Sequence, residues 1–179
     1  MVVLDPKGEA ISERVGFSEQ VAAANCYHRV LMPWDETSMP NFVNALQQPS
    51  LCPVECHIDS IRFSIESLSQ VCLALVSSTV QSLSVKFIDC NFNQARHHYV
   101  HKAIRKNQSI VSLSLQEGSM SSGACIFVAK ALLENRTVTK LSLRIDDFRT
   151  DAAETLSKIL SKNHTLEELL LNCINVDLR

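Results

Sequence analysis

The sequence predicts an α/β solenoid, and three observations lead to this fold class. A hydroxyl residue followed by three spaced apolar residues recurs five times, first as Ser50-Leu51 and last as Thr165-Leu166. The first apolar positions, 51, 80, 110, 138 and 166, are separated by 29, 30, 28 and 28 residues, which is too regular for an ordinary globular sequence. Strand-like and helix-like apolar patterns alternate within each period. Each unit is therefore a strand plus a helix that must stack on its neighbours to bury its apolar side.

The units that start at Ile110 and Val138 define the repeat, because adding 28 to each number superposes them. In the first unit Leu113 and Leu115 alternate with polar residues, which predicts a short half-buried strand. A Gly/Ser/Met turn follows, and then helical spacing predicts one buried stripe made of Ala124, Phe127, Val128, Ala131 and Leu132. The equivalent stripe in the second unit is Ala152, Leu156, Ile159 and Leu160. Thr150 or Asp151 is expected to cap that second helix.

The junction from helix to strand recurs most strictly, as Asn107-Gln-Ser109, Asn135-Arg-Thr137 and Asn163-His-Thr165. Asparagine tolerates left-handed backbone angles, and Ser or Thr hydroxyls bond to nearby backbone, so the triplet is predicted to turn each helix into the next strand. The same triplets match the N-glycosylation acceptor pattern. The repeat already explains these residues, and the first ten residues show no apolar signal stretch, so glycosylation is disfavoured.

The period divides the chain into three expected regions. Residues 1–25 form an N-terminal segment with a capping helix, and residues 26–50 an irregular first repeat. Residues 51–179 hold about four and a half repeats, bounded as 51–79, 80–109, 110–137, 138–165 and a partial 166–179. The sequence ends soon after Leu171 without a polar terminal repeat, which indicates a fragment of a longer array or a covered C-terminal edge. Edge-to-edge contact through that strand is one expectation, and a frayed but tolerated last strand is the alternative.

The motifs Ile110-Val-Ser-Leu113-Ser-Leu115, Val138-Thr-Lys-Leu141-Ser-Leu143 and Leu166-Glu-Glu-Leu169-Leu-Leu171 resemble the leucine-rich-repeat family, specifically its ribonuclease-inhibitor-like subclass, most clearly from about residue 80 onward. The resemblance implies a horseshoe segment with parallel strands on its concave side and helices on its convex side. The family usually places Asn or Cys three residues after the last strand leucine. This chain instead has Ile88, Gly118, Asp146 and Ile174, so the usual asparagine ladder is expected to be missing or shifted, with Cys90 and Asn175 as substitutes.

Strand residues that point away from the core would line the concave side, where such solenoids bind extended partners. By the alternation, Ser84, Ser114 and Ser142 form a central stripe of small residues that lets a partner approach closely. The alternative interpretation is that serine is simply a soluble residue on an exposed strand. The candidate partner-binding residues are Ser84, Lys86, Ser114, Gln116, Lys140, Ser142, Arg144, Glu168 and Asn172.

Composition narrows the function classes. A net charge of −2 disfavours nucleic acid and anionic membranes as partners, and no apolar run is long enough to span a bilayer. Seven cysteines without a disulfide-framework spacing indicate reduced thiols and a cytoplasmic or nuclear protein. The chain contains four glycines in total, and no phosphate-binding loop, nucleophile elbow or zinc-protease motif occurs. We therefore expect neither a cofactor nor a small-molecule substrate.

Two clusters of residues resemble metal-binding or anion-binding sites, but other features of the sequence disfavour that interpretation. The predicted helix Gln94–Lys106 is rich in basic residues and pairs His97 with His101 at i, i+4, yet no Glu or Cys completes a metal site, so a solvated convex helix is expected. Cys52 and Cys56 with His57 lack the second ligand pair of a zinc site, so Cys56 is expected in the core.

Three functions remain open on sequence grounds. The favoured hypothesis is a non-enzymatic module that binds a partner protein of unknown identity through the concave sheet or the open C-terminal edge. The alternatives are a structural subunit of a larger assembly and a regulator of a small GTPase. The last would depend on Arg144, Arg149 or Arg96 as its basic contribution.

Overall fold

The computed structural model describes residues 29–33, 39–48, 54–59, 64–87, 94–117 and 121–177. Strands and helices alternate through these ranges. In chain order they are β1 (Arg29–Pro33), α1 (Met39–Gln47), β2 (Glu55–Asp59), α2 (Ile65–Ser77), β3 (Ser82–Phe87), α3 (Gln94–Lys106), β4 (Ser112–Glu117), α4 (Ser122–Leu132), β5 (Lys140–Arg149), α5 (Thr150–Leu160) and β6 (Glu168–Asp177). The expected N-terminal segment 1–25 lies outside the described residues.

The six strands form one parallel sheet in the order in which they occur in the chain, β1-β2-β3-β4-β5-β6. Each strand–helix unit therefore adds one strand to the same edge of the sheet, and successive helices pack against each other in the same order. The register is continuous across the sheet, with Leu83 opposite Leu113 and Leu113 opposite Leu141. The parallel α/β architecture that the period predicts is confirmed.

The core lies between the sheet and the helices as one apolar cluster. Its strand side comes from alternate residues, such as Leu113, Leu115, Leu141 and Leu143. Its helix side comes from the predicted stripes, except for Phe127, which is half-buried, and Leu160, which is 41% exposed. Two helices start where a serine hydroxyl accepts a bond from a free backbone N–H. Ser64 Oγ accepts from Ser67 N at 3.1 Å in α2, and Ser121 Oγ accepts from Ala124 N at 3.3 Å in α4. Local capping and apolar periodicity together account for these elements.

A buried asparagine ladder joins neighbouring units at the helix-to-strand junctions. Asn135 Nδ2 donates to Ile104 O at 2.8 Å and to Asn107 O at 3.1 Å, which lie one unit earlier in the chain. Its Oδ1 accepts from Thr137 N at 2.9 Å and Val138 N at 2.8 Å. Asn107 and Asn163 make equivalent bonds to Leu75 O and Leu132 O. The junction asparagine therefore both forms the turn, as predicted, and ties each unit to the previous one.

Three sequence expectations need correction or relocation. The helix α5 begins at Thr150, and the N-cap residue is Arg149 without a side-chain cap bond, so capping by Thr150 or Asp151 is wrong. Strand β5 runs directly into α5, whereas a loop was expected there. Asn175, one of the two expected substitutes for the asparagine that the family places after the strand, is exposed, and the buried asparagines lie instead at the helix-to-strand junctions. Cys90 lies outside the described residues.

Candidate functional site

The face of the sheet opposite the helices is the candidate site, and we call it the open face. Leu83, Leu113 and Leu141 lie in the core, so the residues beside them in each strand point to the other side of the sheet. Those residues are partly or fully exposed along β2 to β6. The open face consists of Glu55, His57, Ser82, Ser84, Lys86, Ser112, Ser114, Gln116, Lys140, Ser142, Arg144, Asp146, Glu168, Leu170, Asn172 and Ile174.

The strand register aligns a row of small side chains across the middle of the open face. Ser84 lies opposite Ser114, and Ser114 lies opposite Ser142. His57 precedes the three serines and Leu170 follows them. Adjacent strands are about 4.8 Å apart, so the serine row spans about 10 Å. The serine side chains are short, so a partner could come close to the sheet at this row.

A second row of longer polar side chains lies along one side of the serines. Lys86 is opposite Gln116, Gln116 is opposite Arg144, and Arg144 is opposite Asn172. Two residues farther along β5, Asp146 shares the face with Arg144. Its Oδ1 is buried, has no hydrogen-bond partner among the described residues, and lies 4.0 Å from Arg144 Nε. This row therefore presents hydrogen-bond donors together with a partly shielded carboxylate.

A third row lies on the other side of the serines and consists of Glu55, Ser82, Ser112, Lys140 and Glu168. Its charged residues form ion pairs with oppositely charged neighbours. Lys140 Nζ lies 2.9 Å from Glu168 Oε2 across β5 and β6. The hydrogen bond that Lys140 donates to Glu168, together with the negative charge of that carboxylate, raises the pKa of Lys140 above its ordinary value. At the opposite end His57 Nε2 is 4.0 Å from Glu55 Oε2. Because both members of the Lys140–Glu168 pair are exposed, this pair contributes little to stability and remains accessible to a partner.

The open face contains all nine residues that the sequence singles out for partner binding. Seven further residues belong to the open face; the strand alternation already predicts Leu170 there, whereas Asp146 was not among the residues predicted to line it. Leu170 is 59% exposed at the end of the serine row, where an apolar side chain is unusual, and Asp146 contacts Arg144. The signal for both was present: continuing the strand alternation past Leu143 places Arg144 and Asp146 on one face, and Leu170 aligns with the serines.

The basic helix α3 differs from the expected solvated helix at one position. His97 is buried, and its ring stacks on Phe127 of α4 with the ring centroids 4.8 Å apart. Burial lowers the pKa of His97 below its ordinary value, so the neutral ring is favoured. In the part of the chain that the structure describes, no group of three His, Cys, Asp or Glu side chains could hold a metal ion. His97 therefore belongs to the packing between two units.

The described residues give little support for a small-molecule site, a contact to a nucleotide phosphate or a membrane-spanning helix. An apolar cavity of about 40 Å³ lies between α2, α3 and the sheet, lined by residues such as Val71, Leu83 and Ile104, with no polar group to orient a ligand. Arg149 Nη2 lies 2.7 Å from Asp147 Oδ2 in an exposed ion pair. None of the described helices has the length and apolar character that crossing a bilayer requires.

No protein-family model matches the sequence, and no curated protein matches it significantly. Among solved structures, the fold is similar to one titled "Leiomodin-1 Actin-Binding Site 2 (ABS2)". The TM-score is 0.55 at 20% sequence identity, and the similarity covers 75% of this chain and 76% of that chain. At this level of identity the similarity is one of fold: parallel strands that alternate with helices.

Proposed function

We propose that this chain is a non-enzymatic protein-interaction module of the leucine-rich-repeat type, ribonuclease-inhibitor-like subclass, and that it binds a partner protein through the open face. The observation that carries the proposal is the register of the serine row between two rows of longer polar side chains. In a curved repeat stack this face is the concave side, and the repeats are those at 51–79, 80–109, 110–137, 138–165 and 166–179.

The face supports binding of an extended protein segment for a steric and a chemical reason. The short side chains of Ser84, Ser114 and Ser142 leave room for a backbone or a flat side chain directly over the sheet. Gln116 and Arg144 can donate hydrogen bonds to such a segment from one side, while Leu170 offers an apolar contact at the end of the row. Because aromatic anchors are absent from the described part of this face, we expect moderate affinity.

The described cysteines support a reducing compartment for this module. Cys72, Cys125 and Cys173 are free thiols, and the first two are buried. Burial raises the pKa of Cys72 and of Cys125 to about 12, so both behave as small apolar core groups rather than as nucleophiles. We therefore propose a cytoplasmic or nuclear protein.

The experiment compares wild type with the triple variant Lys86→Ala, Gln116→Ala, Arg144→Ala. Each protein is immobilised, and the retained proteins are quantified by mass spectrometry. A partner of the open face is retained by wild type and lost by the triple variant, and the purified partner then repeats this difference in a two-component binding titration. Truncating three polar side chains is expected to weaken binding by about 10- to 100-fold.

The matched control removes the same kinds of side chains from elsewhere on the surface: Lys106→Ala, Gln108→Ala and Lys162→Ala. These three residues are exposed and lie outside the strands. The control variant should retain every partner, and all three proteins should give the same circular dichroism melt. Retention of every partner by the open-face variant would refute binding at this face.

Actin is the first defined partner to test, because the solved structure of similar fold is titled as an actin-binding site. Co-sedimentation with filamentous actin, together with fluorescence titration of monomeric actin, covers both forms of that protein. Binding that the open-face variant loses would name the partner. Absence of binding to both forms would remove actin and leave the open face to another protein.

A further inference from the structure

We propose that the outer edge of β6 pairs with the same edge of a second copy of this chain, antiparallel and about a twofold axis through Asn172. The proposal shares Leu170, Asn172 and Ile174 with the margin of the open face, but its test uses this chain alone, so it can fail or succeed independently of the partner site. It rests on exposed apolar side chains, backbone groups that point outward, and a register in which the strand complements itself.

The last unit exposes apolar positions that the unit before it buries. Leu132 is 1% exposed, whereas Leu160, 28 residues later, is 41% exposed. Phe148 is 9% exposed, whereas Val176 at the register-matched position of β6 is 57% exposed. The difference arises because nothing among the described residues packs against the outer side of α5 and β6. In the preceding unit, the equivalent surface is buried against the unit that follows it.

The backbone of β6 leaves a row of polar groups facing outward. Glu168 N donates to Thr139 O at 2.9 Å, so the N–H and C=O groups of residue 168 point toward β5. Successive residues of a strand point their N–H and C=O groups to alternate sides, so those of Leu169, Leu171 and Cys173 point away from the sheet. A facing strand would satisfy these groups.

Self-pairing in antiparallel orientation has one register that suits both the backbone and the side chains. With the axis at Asn172, the outward-facing residues Leu171 and Cys173′ form a hydrogen-bonded pair. On the open face Leu170 then lies opposite Ile174′, and these side chains are 59% and 56% exposed in the single chain. An axis at Leu171 or Cys173 would instead place Asn172 opposite one of these apolar residues.

Charge and polarity also favour a second copy joined edge to edge. The segment 170–174 carries no charged residue and no proline, the devices that usually protect an edge strand from pairing. Within this central segment two copies therefore meet without like charges in contact. Head-to-tail stacking is less favoured, because the exposed residues of α1 near the other end of the sheet are polar or proline: Pro40, Asn44 and Gln47. The large exposed hydrophobic residues cluster instead in the last unit.

Sedimentation equilibrium of the 179-residue chain tests the pairing, from micromolar to millimolar concentration. Wild type should show a monomer–dimer equilibrium that ends at twice the 19.9 kDa chain mass. The variant Leu170→Lys, Ile174→Lys places lysines opposite each other twice in the proposed register, and should weaken dimerisation on the order of 100-fold. The variant Leu170→Lys, Ile174→Glu places lysine opposite glutamate twice, and should restore the dimer.

The control variant Leu73→Lys, Val111→Lys puts two lysines at other exposed hydrophobic positions, which are 54% and 42% exposed, and should dimerise as wild type does. Circular dichroism melts check that each variant is folded. A monomeric wild type throughout the concentration range would overturn the proposal, and so would growth into open polymers, which is the signature of head-to-tail contacts. A dimer that persists in the lysine–lysine variant, or that fails to return in the lysine–glutamate variant, would overturn it as well.

Discussion

Replacement of Asn135 by alanine tests whether the asparagine ladder holds neighbouring units together. The side chain is 2% exposed and makes four bonds to backbone groups: Ile104 O and Asn107 O accept from its Nδ2, while Thr137 N and Val138 N donate to its Oδ1. Alanine removes all four bonds at once. Because the site is closed to solvent, water does not easily replace the lost partners.

A net contribution of about 1 kcal/mol for each bond predicts a loss of about 4 kcal/mol in the free energy of unfolding. Asn163 makes three such bonds, to Leu132 O, Thr165 N and Leu166 N, beside the open last unit. Water can reach part of that site, so Asn163→Ala should cost only about 2 kcal/mol. Asn135→Asp keeps the two acceptor bonds but turns a charge toward Ile104 O and Asn107 O, and it should be no more stable than the alanine variant.

Urea unfolding followed by circular dichroism measures these differences, with the slope of the transition checked for a common value. Asn44→Ala is the matched control, because Asn44 is exposed on α1 and should change stability by less than about 0.5 kcal/mol. A loss below about 1 kcal/mol for Asn135→Ala would refute the account of the ladder as a link between units. Equal losses at Asn135 and Asn163 would refute the argument from solvent access.

Two further predictions use the same unfolding assay. Leu132→Ala should cost about 2 to 5 kcal/mol and the equivalent Leu160→Ala only about 1 kcal/mol, since the first side chain is buried and the second half-exposed; equal costs would contradict an open last unit. Burial lowers the pKa of His97 below the ordinary 6.5, so the unfolded chain binds a proton more readily. The contribution of His97 to stability should therefore be fully present above pH 6.5 and fall as the pH drops below it. His101, whose pKa is lowered chiefly by burial and then by Arg105, adds to this slope, and His97→Leu should flatten it. An unchanged slope in that variant would exclude His97 as a source.

The helices and strands followed from local patterns because their causes are local. The alternation around Leu113 and Leu141 predicted which strand residues enter the core, and the same alternation placed Ser114 and Ser142 on the open face. A strand points its side chains alternately whatever lies beyond it. The candidate binding face could therefore be predicted from the sequence, whereas the identity of a partner could not.

The predictions that were wrong concern residues whose surroundings are formed by a neighbouring repeat unit. His97 has the sequence context of a solvated basic helix, yet Phe127 of the next unit covers its ring. Leu160 belongs to the same helical stripe as its buried equivalents, yet nothing described packs over it. Periodicity shows which side of a helix is apolar, but the neighbouring element decides whether that side is covered.

By itself, the sequence determined the repeat length, the parallel order of strand and helix, and the side of each strand that is apolar, because the periods of two and 3.6 residues and the capping hydroxyls act within one unit. Only the tertiary structure decided the contacts between neighbouring units. These are the bonds of Asn135 to backbone about 30 residues earlier, the burial of His97, and the exposed edge of β6. Those features depend on how the units stack along the sheet. Stacking brings together residues that are far apart in the chain, and a local sequence pattern does not encode such contacts.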